Sequence, residues 1–258
     1  MTMSATRRRV EAALVPVKLP IAARMGDAIS RRGTDVTAMS TSRSCLVLAP
    51  HPDDETLGCG ATMMRKVDAG QAVAVVVITD GSTWPPGHDP ADNIATRDAE
   101  LRASCRILGL PDDAVTHLAF PETRLDTAGD ALVDAVAEAI AAHTPDDVFV
   151  TSEADPHSDH AALGAATRRA VAGTGARLLA YPIWQWTRPR SWTRTLAAAS
   201  PAETVRTDGY LERKRRAIAV FHSQMSAAAG GDQQEGLTPG FLRHFAAERE
   251  IFFPVPVH

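Results

Sequence analysis

Short apolar, β-branched runs recur along the chain, and each ends abruptly in polar or turn-forming residues. Leu46-Val47-Leu48-Ala49, Ala72–Thr79, Ala114–Phe120, Asp147–Thr151 and Arg177–Pro182 have this form. Short continuous apolar runs bounded by turn signals predict strands buried on both faces. Between them lie stretches that read as helices: Thr56–Lys66, Ala91–Leu108, Ala128–His143 and Ala161–Ala172. Gly109 follows the second, where a helix C-terminus favours glycine. Strand and helix thus alternate, which predicts an α/β fold: a Rossmann-like, mostly parallel sheet with helices on both faces. The unit from Cys45 to Thr79 is then a right-handed parallel βαβ. Such sheets bind ligands outside the carboxyl ends of their strands, so the residues just after each run carry the chemistry.

Two of these ends are unusual. After Ala49 comes Pro50-His51-Pro52-Asp53-Asp54-Glu55. Each proline fixes its own φ and pushes the preceding residue away from helix, which predicts a rigid extended turn. His51 offers an imidazole nitrogen and Asp54 a carboxylate oxygen, both good zinc ligands. Neighbouring side chains in an extended turn diverge. One of Asp53 and Asp54 can therefore bind metal while the other faces the open position and takes a proton from water. The acids alone would also suit a helix N-cap, with Glu55 favouring the helix dipole. A histidine between two prolines does not suit a simple cap. After Thr151 comes a second such turn, Asp155-Pro156-His157-Ser158-Asp159-His160, again followed by a helix. His51, Asp54 and one of His157 or His160 supply two nitrogens and one carboxylate. That is a catalytic zinc pattern, one ion with a position left for water; other divalent metals fit the same donors.

With these two motifs the chain resembles the PIG-L/LmbE family of zinc-dependent de-N-acetylases, over about Cys45 to Gln224. The resemblance implies removal of an acetyl group from an N-acetylated amino sugar or glycoconjugate. It implies His51, Asp54 and His160 as metal ligands, and Asp53 as general base. It also implies His157 as the group that stabilises the oxyanion, with Asp159 orienting His157. The family usually has His-Pro-Asp-His at the second turn; here Ser158 replaces that proline and Pro156 precedes the first histidine. Arg97 with Glu100 matches a family position at which the arginine contacts substrate, although the spacing by itself reads as a surface ion pair.

The rest of the chain frames this site. The loop Ser82–Asp92 leaves a strand end beside the first turn, and Trp84 in it offers a flat face to a sugar ring. Three tryptophans fall within Trp184–Trp192, either as an apolar cap on the sheet edge or as a binding rim. Tyr210–Gln224 reads as a basic amphipathic helix, Ala227–Gly240 as a loop able to act as a lid, and Glu250–Val255 as a last strand near the sheet edge. Length suits one domain over 44–258. It follows a basic extension, 1–43, with eight basic and three acidic residues.

The net charge of −4 and 5% aromatic content exclude a general nucleic-acid binder. No apolar run is long enough to span a bilayer, and no signal-peptide pattern follows the arginines at the start. Three cysteines without metal-pair spacing suit a reducing cytoplasm. The partner expected is a small N-acetyl sugar or glycoconjugate, with the oligomeric state open. Three competing readings use the same residues. A zinc amidase on a non-sugar or thiol-conjugate amide differs only at the pocket rim. A phosphoesterase wants a second metal and more bridging carboxylates than the chain offers. A catalytically inactive metal-binding module has no need of Asp53.

Overall fold

The computed structural model describes residues 21, 23–188, 192, 201–225 and 236–257. Among the described residues, eight strands form one sheet: β1 (Thr34–Asp35), β2 (Cys45–Ala49), β3 (Val73–Thr79), β4 (Val115–Phe120), β5 (Asp147–Thr151), β6 (Arg177–Tyr181), β7 (Glu203–Arg206) and β8 (Arg249–Val255). Their order is β1-β7-β8-β6-β5-β2-β3-β4. All pairings are parallel except those of β8, which runs antiparallel to both β6 and β7. The described helices include α1 (residues 23–32), α2 (Thr37–Thr41), α3 (Asp54–Asp68), α4 (Pro90–Leu108), α5 (Asp130–His143), α6 (Ser158–Ala170), α7 (Leu211–Ile218) and α8 (Pro239–Leu242).

The continuous apolar strands follow from burial on both faces. Along β2, Val47 and Ala49 join one core cluster, with Phe149 and residues of α3, α4 and α7. Leu46 and Leu48 join the other, with Leu132, Val136 and Ile140 of α5 and Leu163 of α6. A strand with helices on both sides has no polar face, so alternation disappears. From β2 the chain builds β3 and β4 to one side, then returns to place β5 and β6 on the other. The order of strands therefore reverses between β2 and β5, the kind of switch point beyond whose strand ends open α/β sheets bind ligands.

Two expectations change. The last strand is not near the edge: β8 lies between β7 and β6. Its proline is tolerated because β7 pairs with Arg249 to Phe252 only, so Pro254 lies past the end of β7, paired with Leu179 of β6. The predicted helix Tyr210–Gln224 is α7 followed by a 3₁₀ turn, His222–Gln224. Its Lys214 is fully buried rather than solvated. The described part of the basic extension packs on the domain, one of the two plain readings of such a segment. β1 pairs with β7, and Gly26 of α1 lies so close to the Trp186 ring that a Cβ would sit 1.8 Å from it. Residues 1–20 and most of the expected lid lie outside the described residues.

Candidate metal centre

The first turn is held to the sheet at both ends. The Pro50 carbonyl accepts the Thr79 amide at 3.0 Å and the Thr79 hydroxyl at 2.8 Å, which ties it to β3. Asp53 then takes φ 139°, an unusual conformation for a residue with a Cβ. Its N–H donates to Glu55 Oε2 at 3.0 Å and its carbonyl accepts the Leu57 amide at 2.9 Å, so the strained residue is fixed on both sides. Glu55 is no exposed dipole partner. It is wholly buried, and burial pushes its pKa up to about 7. Helix α3 starts at Asp54, two residues earlier than expected. Close packing keeps it in place: a Cβ on Gly58 would lie 2.3 Å from the Tyr181 ring.

The second turn leads into α6, whose first turn carries Asp159 and His160, both fully buried. Because β2 and β5 are neighbours, the two turns meet. His51 Nδ1 lies 3.2 Å from Asp54 Oδ2 and 3.1 Å from His160 Nε2. His160 Nε2 lies 3.3 Å from Asp54 Oδ2. Three donor atoms thus form a nearly equilateral triangle. In tetrahedral coordination with bonds of about 2.0 Å, ligand atoms are about 3.3 Å apart. His51, His157 and His160 also offer ligand atoms within 4.8 Å of one another, a looser set.

Electrostatics follow from burial and crowding. Burial opposes charge on His51, but hydrogen bonds with Asp159 and Asp54 outweigh it and its pKa is pushed up to about 10. Burial also works against ionised Asp54; the charges of His160 and His51 win, and its pKa is lowered. Asp53 goes the other way. Burial and the adjacent Asp54 raise its pKa, against the pull of Arg97 and His51. Among the described residues no hydrogen bond engages the Asp53 carboxylate. His157 falls to about 4, through burial and then the charges of His160 and His51.

Asp159, expected to orient His157, turns its carboxylate to His51 instead. Its Oδ2 lies 3.1 Å from His51 Nε2, and its oxygens accept the Thr123 and Leu125 amides at 2.7 and 3.2 Å. It touches His157 only through its own N–H, which donates to His157 Nδ1 at 3.2 Å. A Nδ1 that accepts this hydrogen bond fits a neutral imidazole with its proton on Nε2. For Arg97, expected to contact substrate, the alternative of a surface pair with Glu100 does not hold. Arg97 is 2% exposed and donates to Glu122 Oε1 at 2.8 Å, while Glu100 accepts the Ser223 amide and hydroxyl.

Glu122 was not foreseen. It is buried, accepts the Thr83 amide and hydroxyl, and lies 3.9 Å from His51 Nε2. Burial raises its pKa, but Arg97 overcomes that and lowers it. Its signal in sequence was an acid just after a strand on the same sheet edge. Trp84 is half-buried in the loop beside Thr83, and among the described residues its indole N–H has no hydrogen-bond partner. Trp192 and Trp186 are buried in the core, so the apolar cap holds for them. Trp184 is half-buried and stacks on Phe241 with centroids 4.7 Å apart. A cavity of about 290 Å³ lies elsewhere, between α1 and β8 at Trp186, His244 and Arg249, and none of the triangle residues lines it.

The family model described as PIG-L: GlcNAc-PI de-N-acetylase matches residues 46–171, a span that includes both turns. The uncharacterized deacetylase YaiS of Escherichia coli (strain K12) is 31% identical over 133 residues, covering 50% of this chain and 68% of that one. The 2'-N-acetylparomamine deacetylase of Streptomyces fradiae is 28% identical over 204 residues, covering 69% and 72%. The fold matches the N,N'-diacetylchitobiose deacetylase from Pyrococcus horikoshii with a TM-score of 0.66 at 20% identity, covering 99% of this chain and 95% of that one. With both polar turns inside the matched span, the chain belongs to the PIG-L family of de-N-acetylases.

Proposed function

We propose that the chain is a zinc-dependent hydrolase that removes the acetyl group from an N-acetylated amino sugar or glycoconjugate. Its relatives named above are deacetylases, two of them of N-acetylated amino sugars by name. The observation that carries the reading is the triangle of His51 Nδ1, Asp54 Oδ2 and His160 Nε2, with edges of 3.1 to 3.3 Å. Three pairwise contacts among two imidazole nitrogens and a carboxylate cannot all be satisfied by the protons available, and a cation at the centre satisfies all three. The donor set, two nitrogens and one oxygen, fits zinc. When bound, zinc would polarise the acetamide carbonyl and make water a better nucleophile.

The chain's own residues do the rest. Asp53, with its carboxylate free of protein hydrogen bonds and its pKa raised, takes the proton of the attacking water. It then delivers that proton to the departing amine, giving acetate and a free amino sugar. His157, neutral with its proton on Nε2, donates that hydrogen to the tetrahedral oxygen. Asp159 holds His51 through its second nitrogen, the usual support of a metal-binding imidazole. Arg97 and Glu122 form a buried pair beside these groups and supply polar atoms for substrate hydroxyls; Trp84 in the adjoining loop is the candidate sugar-stacking face. Three free, buried cysteines support a reducing, cytoplasmic setting.

The test is acetate release from a panel of N-acetylated sugars and non-sugar amides, with metal content measured on the same protein. The expected result is one zinc per chain and turnover of N-acetyl sugars. Turnover confined to non-sugar amides would overturn the substrate class, and activity that persists after complete chelation would overturn the mechanism.

A further inference from the structure

We infer that Asp155 is a positioning residue that fixes the imidazole of His160 and couples it to the aromatic rim at Trp184. This rests on the metal-site reading above. His160 Nε2 is in the donor triangle, so its proton belongs on Nδ1. That Nδ1 is buried and, among the described residues, has no hydrogen-bond partner. It faces Asp155 Oδ1 at 3.6 Å, too long for a hydrogen bond. A closing movement of roughly half an ångström makes one. The other histidine of the triangle already has its equivalent, Asp159, at 3.1 Å.

Asp155 is suited to the task because three donors converge on it. Its side chain is fully buried. Oδ1 accepts the His157 amide at 3.0 Å, which braces the turn that carries His157. Oδ2 accepts the Trp184 amide at 3.0 Å, from the segment after β6. His160 Nδ1–H is the third. A carboxylate can accept from all three; an amide has one oxygen and would turn its NH₂ toward a donor. A buried N–H without an acceptor costs about 1–3 kcal/mol, so an unaided His160 favours the tautomer with its proton on Nε2. That tautomer blocks the atom facing Asp54 and His51. Asp155 favours the useful tautomer and at the same time sets where Trp184 begins.

The experiment uses the full chain without metal. Long-range proton–nitrogen NMR of the imidazoles reads the His160 tautomer, and competition with a chelating dye reads zinc affinity. In the wild type His160 carries its proton on Nδ1. Asp155→Asn moves the proton to Nε2 and weakens zinc binding by about 10–100-fold, the usual effect of losing such a partner. Asp155→Ser, which is smaller and keeps an oxygen for the His157 amide, also weakens zinc binding. A wild-type His160 with its proton on Nε2 overturns the proposal without need of a variant. So does a folded Asp155→Asn with wild-type tautomer and zinc affinity, which would mean that Asp155 only braces its loop. His160→Ala separates the two readings: if it binds zinc as tightly as the wild type, the metal site itself is wrong.

Discussion

The buried pair between Lys214 of α7 and Glu250 of β8 allows a worked prediction. Lys214 Nζ donates to Glu250 Oε1 at 2.6 Å and to the Leu57 carbonyl at 2.7 Å. Glu250 accepts the Ala61 and Thr62 amides at 2.7 and 2.8 Å, and the Thr62 hydroxyl at 2.6 Å. Backbone groups of the second turn of α3 are thus bonded to two side chains from outside the helix. The lysine is 0% exposed and the glutamate 3%, so neither charge reaches water. Lys214→Met keeps the length of the side chain but leaves Glu250 an unpaired buried charge and the Leu57 carbonyl one donor short. Breaking a buried pair from one side costs about 3–5 kcal/mol. Replacing both, Lys214→Met with Glu250→Gln, leaves no net charge and keeps one oxygen for the α3 amides. The double variant should therefore recover at least 1 kcal/mol, as coupled neighbours do. Urea unfolding of the four proteins in the cycle measures this. Equal, additive losses in the two single variants would refute the reasoning, since they would mean that the charges do not depend on each other.

Three further outcomes are expected. Asp53→Asn should keep its zinc and lose about 10²–10⁴-fold in kcat, whereas Asp54→Asn should lose zinc, as read by metal analysis beside kinetics; the reverse pattern would exchange the two roles. Arg97→Ala should destabilise the fold by about 3–5 kcal/mol because it strands buried Glu122; unfolding that matches the wild type would mean that solvent reaches Glu122. His244 stacks on Trp186 and its pKa falls to about 4, through burial and then the charge of Arg243, with Asp27 opposing. The unfolded chain therefore takes up this proton first as pH falls below about 6.5. Stability from this group is complete above that pH and is lost between it and about 4, and His244→Phe should flatten the stability profile in that window.

The parts of the molecule set by local pattern were readable from the chain. Apolar runs gave β2, β3 and β5, and the proline-braced polar turns marked the residues that meet at the triangle, because strand ends and turn chemistry are local properties. What failed was pairing across the fold. Arg97 and Glu100 have the spacing of a helix-surface pair, yet this face of α4 is buried, and each residue binds a partner from another segment: Glu122 and Ser223. Asp159 stands next to His160 and two residues from His157, but its carboxylate reaches the histidine of the other turn. Lys214 reads as one more charge on a basic helix, and only the insertion of β8 within the sheet brings Glu250 to it. Nothing along the sequence marks a strand that enters antiparallel between two others.

The backbone at Asp53 has a consequence for the history and engineering of such a chain. A residue with a Cβ held at φ 139° carries a conformational penalty of about 1–3 kcal/mol, which glycine would escape. Asp53→Gly should also relieve the repulsion between adjacent acids, so the variant should melt later and hydrolyse almost nothing. A screen that rewards thermal endurance alone would then drift toward glycine at this position and discard the base proposed above. Persistence of aspartate there, in a lineage or a library, reports selection for turnover rather than for endurance.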